Sequence, residues 1–248
     1  MRGAGTLLNM AAILVGSGIG VALRGRLPER TRSTVTDALG LVTLVIGGLN
    51  LAALADVDFV AAVGNGGTLL VVLGALLVGG ITGSLLRLED RLESTGAWLQ
   101  QRLGGKGSGG EARARFVEGY VSASLVFVIG PLAVLGSLSD GLGRGIDELA
   151  LKSVLDGFAS LAFAASLGWG VAASALSVGV VQGVLTLLGA LLGDLLPPAL
   201  VASITATGGV LLLGVGLRLL AVKLVPVGDL LPALVVAPVL TGALLAVW

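Results

Sequence analysis

The sequence predicts an all-α polytopic integral membrane protein, a helix bundle of about eight transmembrane helices. Three observations carry that reading. Of 248 residues, 55% are apolar and only 12% charged, with a mean hydropathy of +1.04, whereas a soluble domain is about 25% charged. Eight apolar stretches separate along the chain, each long enough for a bilayer that needs about 20 residues of helix. The 41 glycines, with many Ala, Ser and Thr, suit helices packed backbone to backbone in lipid.

Composition also excludes chemistry. Cysteine and histidine are absent, so thiol redox chemistry, disulfides, zinc or haem sites built on those residues, and Ser-His or Cys-His catalysis fall away. Lys+Arg and Asp+Glu number 15 each, which points to no nucleic-acid partner. The expected partners are the lipid bilayer, a small solute or ion and another copy of the chain, with no cofactor.

The first stretch, 7 to 23, follows Arg2 as a secretory signal would. No A-x-A site follows it, and Arg24 stands where a small residue would be needed, so it reads as a retained helix. The second and third stretches run from 39 to 55 and from 68 to 86. The loops at 24–36 and 87–115 and the turn at 218–227 hold twelve of the fifteen basic residues, which places them in the cytoplasm. The alternate loops carry Asp56, Asp58, Asp140, Asp147, Glu148 and Asp194, so both termini lie outside if eight helices is the count. Residues 89–115, with Gly104, Gly105, Gly107, Gly109 and Gly110 near their centre, read as a flexible cytoplasmic loop. The GKGS string there lacks the spacing of a phosphate-binding loop.

The fourth stretch, 120 to 138, contains Gly130 and Pro131. A proline has no N–H and clashes with the carbonyl four residues back, so a kink and a freed acceptor are expected inside the membrane. Broken helices of this kind build many transporter sites. The fifth stretch, 149 to 168, places Lys152 and Asp156 on one helical face. Lys152 can snorkel outward but Asp156 is too short, so Asp156 is expected to face the bundle interior or a wet cavity. An intramembrane carboxylate costs about 2.5–3.5 kcal/mol even on insertion scales and marks an ion or substrate path. Ser137-x-x-Asp140-Gly141 and Ser153-x-x-Asp156-Gly157 share one pattern, so Asp140 and Ser137 join Ser153 and Ser160 as candidate ligands.

Gly168-Trp169-Gly170 reads as a tight turn with Trp169 as an interfacial anchor. The sixth stretch, 170 to 192, offers Ser174, Ser177 and Gln182, while Asn9 lies in the first and Asn50 ends the second. Such neutral groups either join helices or ligate solute. The seventh stretch is 199 to 220, and Pro232 and Pro238 bend the eighth, 230 to 247.

Internal echoes tie these stretches together. Gly5-Thr6-Leu7-Leu8 through Gly16-x3-Gly20 matches Gly67-Thr68-Leu69-Leu70 through Gly79-x3-Gly83, and Gly48-Leu49-Asn50-Leu51 resembles Gly216-Leu217-Arg218-Leu219. The pattern fits an inverted-topology repeat within a single transmembrane domain over 1–248: residues 1–88 and 170–248 as the two halves, around central helices in 116–168.

Gly5-Thr6-x-x-Asn9, Gly130-Pro131 to Asp140-Gly141, Leu151-Lys152-Ser153 to Asp156-Gly157-Phe158-Ala159, Gln182-Gly183 and Asp229-Leu230-Leu231-Pro232-Ala233-Leu234 together resemble the YqgA-like membrane proteins, the domain-of-unknown-function 554 family. The resemblance spans essentially the whole chain. It implies a bacterial inner-membrane protein of a kind usually described as a candidate transporter, with no settled substrate. Asp229 departs from the family pattern, where Asn is expected.

The resulting expectation is a small secondary transporter or channel-like carrier for a small polar or charged solute or ion. Asp156 is the ionisable ligand, tuned by Lys152 and Asp140, with Ser137, Ser153, Ser160, Gln182 and Asn9 as neutral groups beside the Gly130-Pro131 break. The alternative is a non-transporting oligomeric scaffold or regulatory partner, with the Gly-x3-Gly pairs as its oligomer face. Asp156 lining a cavity would favour transport, and Asp156 sealed against Lys152 would favour a scaffold. No enzyme is expected, since a catalytic carboxylate pair must share a proton and Asp194 is placed at the far end of the sixth stretch from Asp156.

Overall fold

A computed structural model describes residues 2–24, 28–103, 110–128, 131–192 and 197–246. Twelve α-helices occupy them, with no strand among the described residues: α1 (Ala4–Arg24), α2 (Glu29–Asn50), α3 (Val57–Val63), α4 (Gly67–Leu85), α5 (Leu88–Leu103), α6 (Gly110–Val128), α7 (Pro131–Leu142), α8 (Asp147–Leu167), α9 (Gly170–Leu192), α10 (Pro198–Leu219), α11 (Val227–Leu230) and α12 (Ala233–Leu245). Seven spans are long and apolar enough to cross a membrane, and an eighth is counted if α6 and α7 form one span bent by 79°. The all-α polytopic bundle is thus the architecture. Leu7, Leu69 and Phe158 lie 60–73% exposed on its helices, as lipid-facing side chains must.

Two departures from the sequence expectation have local causes. The segment expected as a flexible loop over 89–115 is helical over Leu88–Leu103 and again from Gly110. Its Leu, Glu, Arg and Gln content favours helix even though it is too polar to resemble a span. Asp56, read only as an acidic loop residue, caps α3 by accepting 3.1 Å bonds from the N–H groups of Asp58 and Phe59. The eighth stretch is interrupted at Leu231 and Pro232 between α11 and α12, while Pro238 lies inside α12.

The chain divides into two compact units. In the first, α1 packs along α8 and α9, and α6 packs along α9. In the second, α4 packs on α11 and α12, and α10 packs on α12 and the short helix α3. Each unit therefore holds helices from both halves of the sequence.

Glycine sets the closeness of α1 to α8. A Cβ at Gly16 would run into the carbonyl oxygen of Gly157 and the hydroxyl of Ser160, and one at Gly20 into the carbonyl of Leu161. In the second unit, Gly83 meets the Asp229 backbone in the same way. The Gly-x3-Gly pairs offered above as an oligomer face are therefore used inside the chain. The motif reports close helix approach and does not distinguish a neighbouring helix of the same chain from a second copy.

Asp229 also has a local role in that unit. Its carboxylate accepts a 2.9 Å bond from the Glu89 N–H, while Glu89 pairs with Arg218 and accepts from the Gly228 N–H. An Asn oxygen can accept the same bond, so the Asn expected from the resemblance would keep this contact.

Gly16→Ala is expected to destabilise the purified protein by about 1–3 kcal/mol through overpacking and so to lower its melting temperature. Gly18→Ala, on the same helix with open space at its Cβ, is not; scanning fluorimetry in detergent compares the two.

Candidate functional site

Helix α8 runs parallel to α1, since Gly5 lies against Leu149, Ala12 against Gly157, and Gly20 against Leu161. That register brings Asn9 of α1 to Asp156 of α8. The Asn9 Nδ2 donates to Asp156 Oδ2 at 2.9 Å, and Lys152 Nζ lies 3.0 Å from Oδ1 and 2.8 Å from Oδ2. Asp156 and Lys152 are each 6% exposed and Asn9 is fully buried. Asp156 stands about 14 Å along α8 from its first residue at 1.5 Å per residue. Lys152 does not snorkel outward: its ammonium is held by a carboxylate one turn ahead, and the pair is electrically neutral in a medium that penalises either charge alone.

Asp140 has a different task. Both of its oxygens accept backbone bonds at the start of α1, Oδ1 from the Gly3 N–H and Oδ2 from the Gly5 N–H, each at 3.0 Å. A helix N-terminus carries orphan N–H groups and partial positive charge, so a buried carboxylate there is satisfied without a cation. The two carboxylates expected to flank one pathway thus sit at successive levels of α1, four residues apart at Gly5 and Asn9.

The serines divide. Ser153 donates to the Leu149 carbonyl at 2.6 Å and Ser160 to the Gly157 carbonyl at 2.9 Å, so both hydroxyl protons are spent on their own helix. Ser137, one turn before Asp140 on α7, is fully buried and its hydroxyl finds no partner among the described residues. The same holds for Asn9 Oδ1, Ser17 Oγ and both amide atoms of Gln182. A buried polar atom without a partner costs about 1–3 kcal/mol.

Helix register places Gln182 at the level of Asn9. Thr6 meets Thr186, hydroxyl to hydroxyl at 3.5 Å, and Met10 lies against Gly179. Asn9 falls between Thr6 and Met10, and Gln182 between Gly179 and Thr186, so the two buried amides share a level. Helix α6 runs parallel to α9: Phe116 packs on Gly170, and Ser124 bonds Ser177 at 3.0 Å. Continuing that register brings Val128, where α6 ends, to the level of Gln182. The end of α6 therefore falls at the level of the amides and the ion pair. Gly130 lies outside the described residues. Pro131 begins α7, and its side chain also lies outside them, as does Asp194.

A groove of about 660 Å³ runs along the outside of the same two helices, lined by Thr6, Met10, Gly179, Gly183 and Thr186 among others. Thr6 and Thr186 line it, while Asn9 and Gln182, one turn further along the same helices, do not. Sequence reasoning did not single out Thr186 or Ser17 because neutral hydroxyls are common in membrane helices. The signal available was spacing, since Thr186 lies at i+4 from Gln182 and Thr6 at i−3 from Asn9.

Lys152→Met leaves Asp156 without its counter-charge and is expected to destabilise the protein by about 3–5 kcal/mol. The neutral double variant Lys152→Gln/Asp156→Asn is expected to recover most of that loss, read by chemical or thermal unfolding. Asp140→Ala should cost about 0.5–2 kcal/mol and raise hydrogen exchange at residues 3–7 specifically.

Comparison with known proteins places the chain in a family. Residues 4–242 match the model described as "Protein of unknown function (DUF554)". The chain is 32% identical to "Uncharacterized protein YqgA" of Escherichia coli (strain K12) over 239 residues, 96% of each protein. It is 28% identical to "Uncharacterized membrane protein YdfK" of Bacillus subtilis (strain 168) over 237 residues, covering 95% of this chain and 94% of that one. No solved structure matches it. With its family signature spread over both units of a membrane helix bundle, the chain belongs to the DUF554 family.

Proposed function

We propose that this protein is a carrier that moves a small polar or charged solute across the inner membrane, with the Asn9, Lys152 and Asp156 cluster as its binding position. The observation that carries the reading is the Asn9 amide: one end is bonded to the buried carboxylate, and the other is a fully buried oxygen without a partner. Groups that only hold helices together are expected to satisfy one another. Gln182 adds two more unpartnered atoms at the same level, a composition suited to a solute that brings its own donors and acceptors.

Basic loops in the cytoplasm and termini outside would have α1 enter from the outer face. Asp140 then serves the site by fixing the start of α1, and through it the height of Asn9.

The sealing of Asp156 against Lys152 favours a second reading, a non-transporting scaffold in which the pair is structural. Its other support, an exposed Gly-x3-Gly face, is weakened because those glycines are occupied within the chain. Homo-oligomerisation remains compatible with either.

A thermal-shift screen against inorganic ions, amino acids, polyamines and organic acids separates the two. Ligand binding raises the stability of the folded state in proportion to occupancy. A solute that raises the melting temperature of wild type and not of Asp156→Asn, and whose flux into proteoliposomes that variant abolishes, is the expected outcome. A library that shifts neither protein turns the assignment to the scaffold.

A further inference from the structure

Resting on the carrier reading, we infer that the cluster takes a net-neutral dipolar solute, one bearing an ammonium and a carboxylate, rather than a lone cation or anion.

The argument starts from charge balance. Lys152 and Asp156 are both 6% exposed and sum to zero charge. A lone cation on Asp156 would set Lys152 free as an unpaired buried charge, and a lone anion on Lys152 would do the same to Asp156. Either outcome leaves net charge in the low-dielectric interior, which is strongly unfavourable. A zwitterion that splits the pair replaces one neutral arrangement with another: its ammonium takes the Asp156 carboxylate, and its carboxylate takes the Lys152 ammonium.

The side-chain mechanics permit this exchange. Asp156 is short and is also held at Oδ2 by Asn9 Nδ2 at 2.9 Å, so it stays in place. Lys152 lies four residues nearer the start of α8 on a flexible four-carbon stem, so its ammonium can withdraw by one turn while its attachment stays fixed.

The unpartnered atoms match the same chemistry. An ammonium has three donors, and after the carboxylate takes one, Asn9 Oδ1 stands ready as an acceptor on the adjoining atom. A carboxylate needs donors beyond Lys152. Gln182 Nε2, at the Asn9 level, is fully buried and has no acceptor. A bare metal cation would use the acceptors and leave the Gln182 donor unmet, and a simple anion would do the reverse.

Matched probes test this in nanodiscs by scanning fluorimetry. Glycine, β-alanine and γ-aminobutyrate carry both charges at increasing separation; methylammonium and acetate carry one each. The expected result is a saturable rise in melting temperature with at least one of the three zwitterions and none with methylammonium or acetate, singly or together. The response should be lost in Lys152→Gln/Asp156→Asn, whose neutral amide pair keeps the fold testable, and kept in Gly18→Ala. A shift from methylammonium, acetate or sodium equal to that of the best zwitterion overturns the inference, as does the absence of any zwitterion shift. If polyamines or another singly signed class shift wild type in the wider screen, the carrier reading stands and the dipolar class falls. If no solute shifts it, both fall.

Discussion

A carboxylate in the apolar interior of a membrane bundle has to be neutralised where it stands, and the first unit is arranged around doing so for Asp156. Its two oxygens are shared between the Lys152 ammonium and the Asn9 amide, at 2.8–3.0 Å. The lysine comes from the same helix and needs no tertiary help to be near. The asparagine comes from α1, and its arrival depends on how closely and at what height α1 lies along α8.

Two devices set that placement, and neither looks like a binding residue. Gly16 and Gly20 remove the side chains that would hold α1 away from the α8 backbone. Asp140 then fixes α1 along its own axis by taking the N–H groups of Gly3 and Gly5, just where a helix start has donors to spare. A slip of α1 by one turn would break both the cap and the Asn9 bond. The close approach and the cap are thus positioning elements for the amide, and the polar level at Asn9 is a consequence of backbone packing.

Charge was the most legible feature of the sequence, because Lys152 and Asp156 stand out in an apolar run and their spacing alone puts them on one face. Pro131 likewise announced the interruption between α6 and α7. What the sequence could not express was partnership across helices. Asn9 and Gln182 look alike as isolated neutral residues, and only register shows that they share a level beside the ion pair. Asp140 matched the Asp156 pattern letter for letter, yet it caps a helix, since an identical local motif meets different neighbours. Helix α5 was hidden because amphipathic, charged helices carry no span signal, and the Gly-x3-Gly pairs concealed which helix they would approach.

The ion pair itself is the strongest reason to look for a function at this level. Replacing a buried pair by well-packed apolar residues is often neutral or stabilising in proteins, so stability alone gives no reason for keeping Lys152 and Asp156 in the bundle. Their order on the helix, lysine first, is also the weaker one for local helix support. A structural pair would be expected to sit among satisfied neighbours. This one sits against an amide whose oxygen has no partner, at the level of a glutamine with two such atoms. That combination costs stability at several points at once, and it becomes reasonable if the same groups spend part of their time bonded to something that enters and leaves.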